Sequence, residues 1–173
     1  LPVVIVTGSG NQGITASVPV IRYAKHIGAS DERLYRALLV SDLVTIHQKT
    51  GIGRLSAYCG AVSAGCGAGA GIAYLLGGDY RAIAHTIVNA VAILSGTICD
   101  GAKPSCAAKI ASAVEAGILG YYMYVNDQQV RGGDGIVAKG VENTIRNVGL
   151  LASQGMKQTD RVILNIMTGD QCL

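Results

Sequence analysis

The hydrophobic and polar positions of this chain alternate between helical periodicity and two long stretches that carry no charge. Residues 3–7 are short, apolar and β-branched, which predicts a brief strand or extended segment. A glycine-rich loop follows. Residues 14–27 then read as a helix, with Pro19 as an internal kink or restart and Gly28 as its end. Ser30-Asp31-Glu32 puts a capping hydroxyl and two acids where a helix start favours them, and this second helix runs to about residue 50. Lys49 near its end suits the C-terminal dipole, and Gly51 suits the stop. Leu34, Leu38, Val44 and Ile46, with Asp42 among them, form no single stripe, which predicts burial on more than one side.

Residues 59–78 and 82–99 contain no formal charge. A membrane span needs about 20 apolar residues, and the first run carries the G-x-x-x-G pairs Gly65/Gly69 and Gly67/Gly71. That run is mostly Gly, Ala and Ser, however. The second contains His85 and Asn89, and no aromatic belt flanks either one. Two fully buried helices explain the pattern better than a membrane hairpin. Residues 104–120 predict another helix, and residues 127–135 a polar, glycine-rich loop. Residues 137–152 predict a helix with Glu142 and Arg146 as an i,i+4 pair, Gly155 breaks it, and residues 161–167 form a last helix ended by Gly169. The fold class expected is mainly α: a compact bundle of about seven helices, with buried Gly/Ala-rich helices and one short N-terminal strand. Strands and helices do not alternate, which argues against a dinucleotide-binding fold.

Composition sharpens this picture. Of 173 residues, half are hydrophobic and only 14% are charged, where about a quarter is usual. Surface buried against another domain or subunit accounts for that. The net charge of +3 is spread without a basic run, so nucleic-acid binding gets little support. There are eight Tyr, no Phe, no Trp and 24 Gly, which points to close helix–helix approach. Five cysteines are an odd count and no secretory leader is expected, which predicts reduced thiols rather than a disulfide framework. Leu1-Pro2-Val3 is an abrupt start without Met. The expectation is a single domain over residues 1–173, a fragment of a longer chain with some functional residues elsewhere.

The candidate chemistry centres on Cys59, Cys99 and Cys106. The absence of C-x-x-C excludes a zinc ribbon or a bacterial ferredoxin pattern. If the three thiolates converge they suit iron–sulfur or zinc; otherwise they are small buried hydrophobes, the reading that Cys66 also takes. Cys172 is either a free thiol or a ligand on a folded-back tail. The loop Thr7-Gly8-Ser9-Gly10-Asn11-Gln12-Gly13 offers backbone N–H groups to a carboxylate or phosphate, or is only a tight turn. Asp100 and Lys103 orient a substrate beside the cysteines or are solvated loop charges. Lys103 lacks the context of a Schiff-base lysine, so pyridoxal phosphate is not expected. His26 reads as a helix-end residue, and His47 and His85 as surface or satisfied core residues.

Three stretches carry a resemblance: Gly53-Arg54-Leu55-Ser56-Ala57-Tyr58-Cys59-Gly60-Ala61-Val62, Ile98-Cys99-Asp100-Gly101-Ala102-Lys103-Pro104-Ser105-Cys106-Ala107, and Val141-Glu142-Asn143-Thr144-Ile145-Arg146-Asn147-Val148-Gly149. They resemble the serine dehydratase-like alpha-chain family, and most of all its bacterial iron–sulfur L-cysteine desulfidase branch. The resemblance covers essentially the whole chain and implies the C-terminal, cluster-carrying part of a protein about twice as long. It implies an oxygen-sensitive [4Fe–4S] cluster on Cys59, Cys99 and Cys106, no pyridoxal phosphate, and a base in an N-terminal part. The implied activity is conversion of L-cysteine to pyruvate, ammonia and hydrogen sulfide; a serine dehydratase or a non-catalytic domain that kept the fold are the alternatives. Ser9, Gly10, Asn11, Gln12, Gly13 and Lys103 are the expected substrate-binding residues. The expected partners are a small amino acid, the N-terminal part of the same protein and further copies of the chain, in the cytoplasm, with neither nucleic acid nor membrane.

Overall fold

The computed structural model describes residues 3–169, which form seven α-helices. These are α1 Gly10–His26, α2 Asp31–Ile52, α3 Gly60–Leu75, α4 Tyr80–Leu94, α5 Cys106–Val125, α6 Val141–Leu150 and α7 Lys157–Thr168, with one π-helical turn, Leu151–Gly155, between the last two. Helix α3 is the axle. Helices α1, α2, α4 and α5 all pack on it, and every residue from Gly60 to Leu75 except Tyr74 is buried. Small side chains make that possible. A Cβ on Gly65 would lie 2.5 Å from the Ala113 carbonyl, and one on Gly69 2.6 Å from Gly117 Cα, both on α5. A Cβ on Gly67 would lie 2.5 Å from the Ser41 carbonyl oxygen, and one on Gly71 2.8 Å from that of Ala37, both on α2. Residues four apart share a helix face, and two residues of offset turn to nearly the opposite face. The two G-x-x-x-G pairs therefore serve two different contacts inside the bundle. No helix among the described residues is long and apolar enough to cross a membrane.

Helix α2 buries one face, not several. Ala37, Ser41, Thr45, Gln48, Lys49 and Ile52 point inward, while Tyr35, Leu39, Leu43 and Ile46 are exposed. Only small or slender side chains fit where Gly67 and Gly71 bring α2 against α3. Buried polar groups stitch the helices together. The Ser41 hydroxyl donates to the Ala16 carbonyl at 2.7 Å, and the Gln48 amide donates to the Ser63 carbonyl at 3.4 Å. Asn89 donates to the Gly120 carbonyl at 2.8 Å and accepts from the Val130 N–H at 2.9 Å, which ties α4 to α5 and to the loop beyond it.

The structure departs from the expected elements in several places. Residues 3–7 form no strand. Among the described residues they have no neighbouring strand to pair with, and Val3, Val4 and Ile5 are exposed. Instead they cross the first turn of α1: a Cβ on Gly13 would sit 2.0 Å from the Val4 carbonyl oxygen, and one on Gly10 2.7 Å from the Val3 side chain. Helix α1 consequently begins at Gly10, inside what reads as loop, and runs through Pro19 without a restart. Gly51 does not end α2. It meets Gly149 of α6 at close range, and Gly53, with φ +95°, is the stop. The Ser30 cap forms as expected, accepting from the Arg33 N–H at 3.4 Å. Glu142 pairs with His47 at 2.8 Å rather than with Arg146, which donates to Asn143.

Candidate functional site: a cavity lined by three cysteines

The site forms where α3 begins. Residues 57–59, leading into α3, lie antiparallel to residues 97–99, leaving α4. The Cys59 N–H donates to the Thr97 carbonyl at 3.1 Å and the Cys99 N–H to the Ala57 carbonyl at 2.6 Å, with Tyr58 opposite Ile98. Side chains alternate along extended backbone, so Cys59 and Cys99 leave this short bridge on one side. Both line one cavity, and each thiol shifts the other's titration. Cys106 opens α5, and its sulfur accepts from the Lys103 N–H at 3.4 Å.

Asp100 holds the connecting loop in place. Lys109, one turn into α5, donates to the Asp100 carboxylate at 2.6 Å and to the Ile98 carbonyl at 2.9 Å. Lys103 also donates to Asp100. The two ammonium groups hold the Asp100 carboxyl at about 2, well below the usual carboxylate range. Gly101 turns the loop at φ +89°, a backbone conformation that a side chain would strain.

The three cysteines line one cavity of about 220 Å³ together with Ser9, Asn11, Gln12, Lys49, Arg54 and Lys109, and no Asp or Glu among the described residues lines it. The neighbouring Cys59 thiol lowers Cys99 below an ordinary thiol, aided by the Gly101 N–H and by Lys109. The Cys99 neighbour and burial push Cys59 upward. Cys66 belongs elsewhere: it is buried inside α3, where desolvation pushes it up to about 12.

Of the expected substrate-binding residues, Ser9, Asn11 and Gln12 line the cavity. Gly10 and Gly13 lie in the first turn of α1, packed against residues 3–6. Lys103 is outside the lining and is paired with Asp100. Cys172 falls outside the described residues. His85 stacks on Tyr124 with ring centroids 4.9 Å apart and does not line the cavity. Sequence reasoning missed Lys49, Arg54 and Lys109. For Lys49 a signal existed: it follows Ala37, Ser41 and Thr45 at intervals of four on the small-residue face of α2.

Among the described residues, no three His, Cys, Asp or Glu side chains group to hold a single metal ion. A multi-iron cluster makes a different demand, because thiolates around it each hold their own iron. Three free thiols lining one cavity, from two loops and a helix start, are a donor set of that kind.

A helical domain with a three-thiol cavity at the head of its central helix is the class that fold and site define. The chain belongs to the serine dehydratase alpha chain family, whose pattern it matches over residues 1–165. It is 69% identical to a UPF0597 protein of Desulfitobacterium hafniense over 99% of this chain and 40% of that protein. Similar proteins of the same name occur in Treponema denticola, 52% identical over 98% of this chain and 39% of that protein, and in Bacteroides fragilis, 46% identical over 99% and 40%. The chain thus spans about two-fifths of the length of these curated relatives. No solved structure matches it.

Proposed function

We propose that this chain carries the cluster seat of a pyridoxal-phosphate-independent lyase that β-eliminates from a small amino acid, with L-cysteine as the substrate. The observation that supports this reading best is the convergence of Cys59, Cys99 and Cys106 on one cavity in a serine dehydratase alpha-chain relative. Those three thiolates would hold a [4Fe–4S] cluster, which supplies a Lewis acid for the leaving group.

The chain's own residues have separate tasks. Asp100, clamped by Lys103 and Lys109, fixes the loop from Cys99 to Cys106 so that both sulfurs keep their bearing. The bridge at Tyr58 and Ile98 does the same for Cys59 against Cys99. Ser9, Asn11 and Gln12 at the start of α1 offer hydrogen bonds to the substrate's polar ends. In the elimination the Cα–H and Cβ–S bonds break and a Cα–Cβ double bond forms. Water then converts the aminoacrylate to pyruvate and ammonia, and the sulfur leaves as hydrogen sulfide. The base that takes the Cα proton belongs to the N-terminal part of the protein in this reading. A homo-oligomer in the cytoplasm is part of the same proposal.

The family's own description favours L-serine as the second reading, with water leaving in place of hydrogen sulfide. The deciding experiment is anaerobic purification of the full-length protein, with iron counted and pyruvate release measured from L-cysteine and from L-serine. Iron-dependent pyruvate and sulfide from L-cysteine is the expected result. Pyruvate from serine alone moves the assignment to the dehydratase. A colourless, iron-free and inactive protein after reconstitution sinks both.

A further inference from the structure

We propose that Lys49 is the carboxylate anchor of the cysteine-lined cavity, its side chain buried and its ammonium left without a hydrogen-bond partner for the substrate's anionic end. This rests on the β-elimination reading above and assigns the residue that orients the substrate within it.

Lys49 is only 6% exposed, yet its side chain makes no hydrogen bond or ion pair among the described residues. A lysine whose side chain is this buried and whose ammonium has no hydrogen-bond partner in the protein carries a desolvation cost, which an anion in the cavity would offset. The group lines the same cavity as the three cysteines. The other cations near the sulfurs are already engaged or solvated: Lys103 and Lys109 hold Asp100, and Arg54 is exposed. Among the described residues no lining carboxylate competes.

Cys59 and Cys99 partly offset the desolvation that lowers Lys49. Those sulfurs are committed to iron when a cluster is bound, so they steady the charge without saturating its donors. Gln12 adds a second donor. It too is 6% exposed. Its Oε1 accepts from the Thr7 hydroxyl, which leaves its amide N–H groups unspent among the described residues. Lys49 and Gln12 therefore present donors from two helices to one cavity, as a carboxylate with two oxygens requires. The same charge repels the substrate's α-ammonium, so the amino acid enters in one orientation.

The test uses L-alanine and L-alaninamide, which have no β leaving group and bind without turnover. They are titrated calorimetrically into the anaerobically purified full-length protein, with iron counted in each sample. Because a charge-assisted pair contributes about 1.5–3 kcal/mol, the wild type is expected to prefer the carboxylate by about tenfold or more. Lys49→Met removes the preference, and Lys49→Arg keeps most of it, both at unchanged iron content. Lys49→Gln serves the same purpose as Met should the Met variant fail to fold. A neutral variant that keeps the wild-type preference overturns the assignment. So does one that loses its iron, because Lys49 would then be a counter-charge to the thiolates. A wild type that does not distinguish the two ligands overturns it as well. An iron-free wild type that still prefers L-alanine sinks the lyase reading and leaves the role of Lys49 standing.

Discussion

Follow α3 from its middle to its N-terminus and its neighbours change from backbone to side-chain tips. In the middle, Gly65 and Gly69 abut the α5 backbone and Gly67 and Gly71 the α2 backbone, all closer than a Cβ allows. At the N-terminus, the space a Gly60 Cβ would take is filled by the amide end of Gln12, 2.2 Å away. One region uses glycine to bring main chains together. The other uses it to let polar side chains gather at a cavity. Stability and chemistry thus occupy two ends of one helix, and the cysteines divide in the same way: Cys66 in the dry middle, Cys59 at the cavity.

The sharpest way to break this division is to ask the cysteines directly. In the iron-free full-length protein, iodoacetamide should modify Cys99 far faster than Cys66. Cys99 is partly exposed and its thiol is lowered below the ordinary value, which favours the reactive thiolate. Cys66 is 1% exposed and lies in the helix that every core neighbour covers, so it reacts only through opening. An opening that costs about 3 kcal/mol or more slows labelling by about a hundredfold. Peptide mapping over a time course reads both sites at once. Comparable rates at Cys66 and Cys99 would mean that the middle of α3 is not the rigid part.

A second test uses the glycines. Gly69→Ala drives a methyl group into Gly117 backbone, which cannot step aside. Overpacking of about 3 kcal/mol less about 1 kcal/mol of helix propensity leaves a net loss of about 2 kcal/mol. Gly60→Ala meets only the tip of Gln12, which can swing away, so its cost stays within about 1 kcal/mol. It should instead weaken ligand binding by moving Gln12. Urea midpoints of the two variants decide the matter, and equal losses would erase the contrast.

The same contrast explains what could be read from the chain alone. The paired glycines, the long uncharged runs and the Ser30 cap are local or periodic signals, so the buried α3 and the start of α2 were legible. The three cysteines were legible because they sit in extended motifs. The strand over residues 3–7 was not, because β-branched residues favour extended backbone but cannot supply a neighbour to pair with. The glycines at 10 and 13 looked like a ligand loop. They are instead the floor on which residues 3–6 lie, a contact that no local pattern announces. Lys49 was the most instructive miss. A lysine in the last turns of a helix suits the dipole, and only the face it shares with Ala37, Ser41 and Thr45 tells that it turns inward.

The smallest effect bears on that residue and has an unusual sign. If Lys49 is kept charged and unpaired for a ligand, the ligand-free protein bears the cost of its desolvation. Lys49→Met keeps the length and apolar stem of the side chain and removes the ammonium. The substitution should therefore raise the stability of the ligand-free protein by about 1 kcal/mol, a gain made at the expense of binding. Thermal melts of both proteins, with and without L-alanine, test this. Without ligand the variant melts higher. With saturating L-alanine the wild type closes the gap, because only its native state gains from the bound carboxylate. A variant that melts lower without ligand would show that the ammonium already has a partner in the resting protein, and the cavity end of α3 would then be as self-satisfied as its middle.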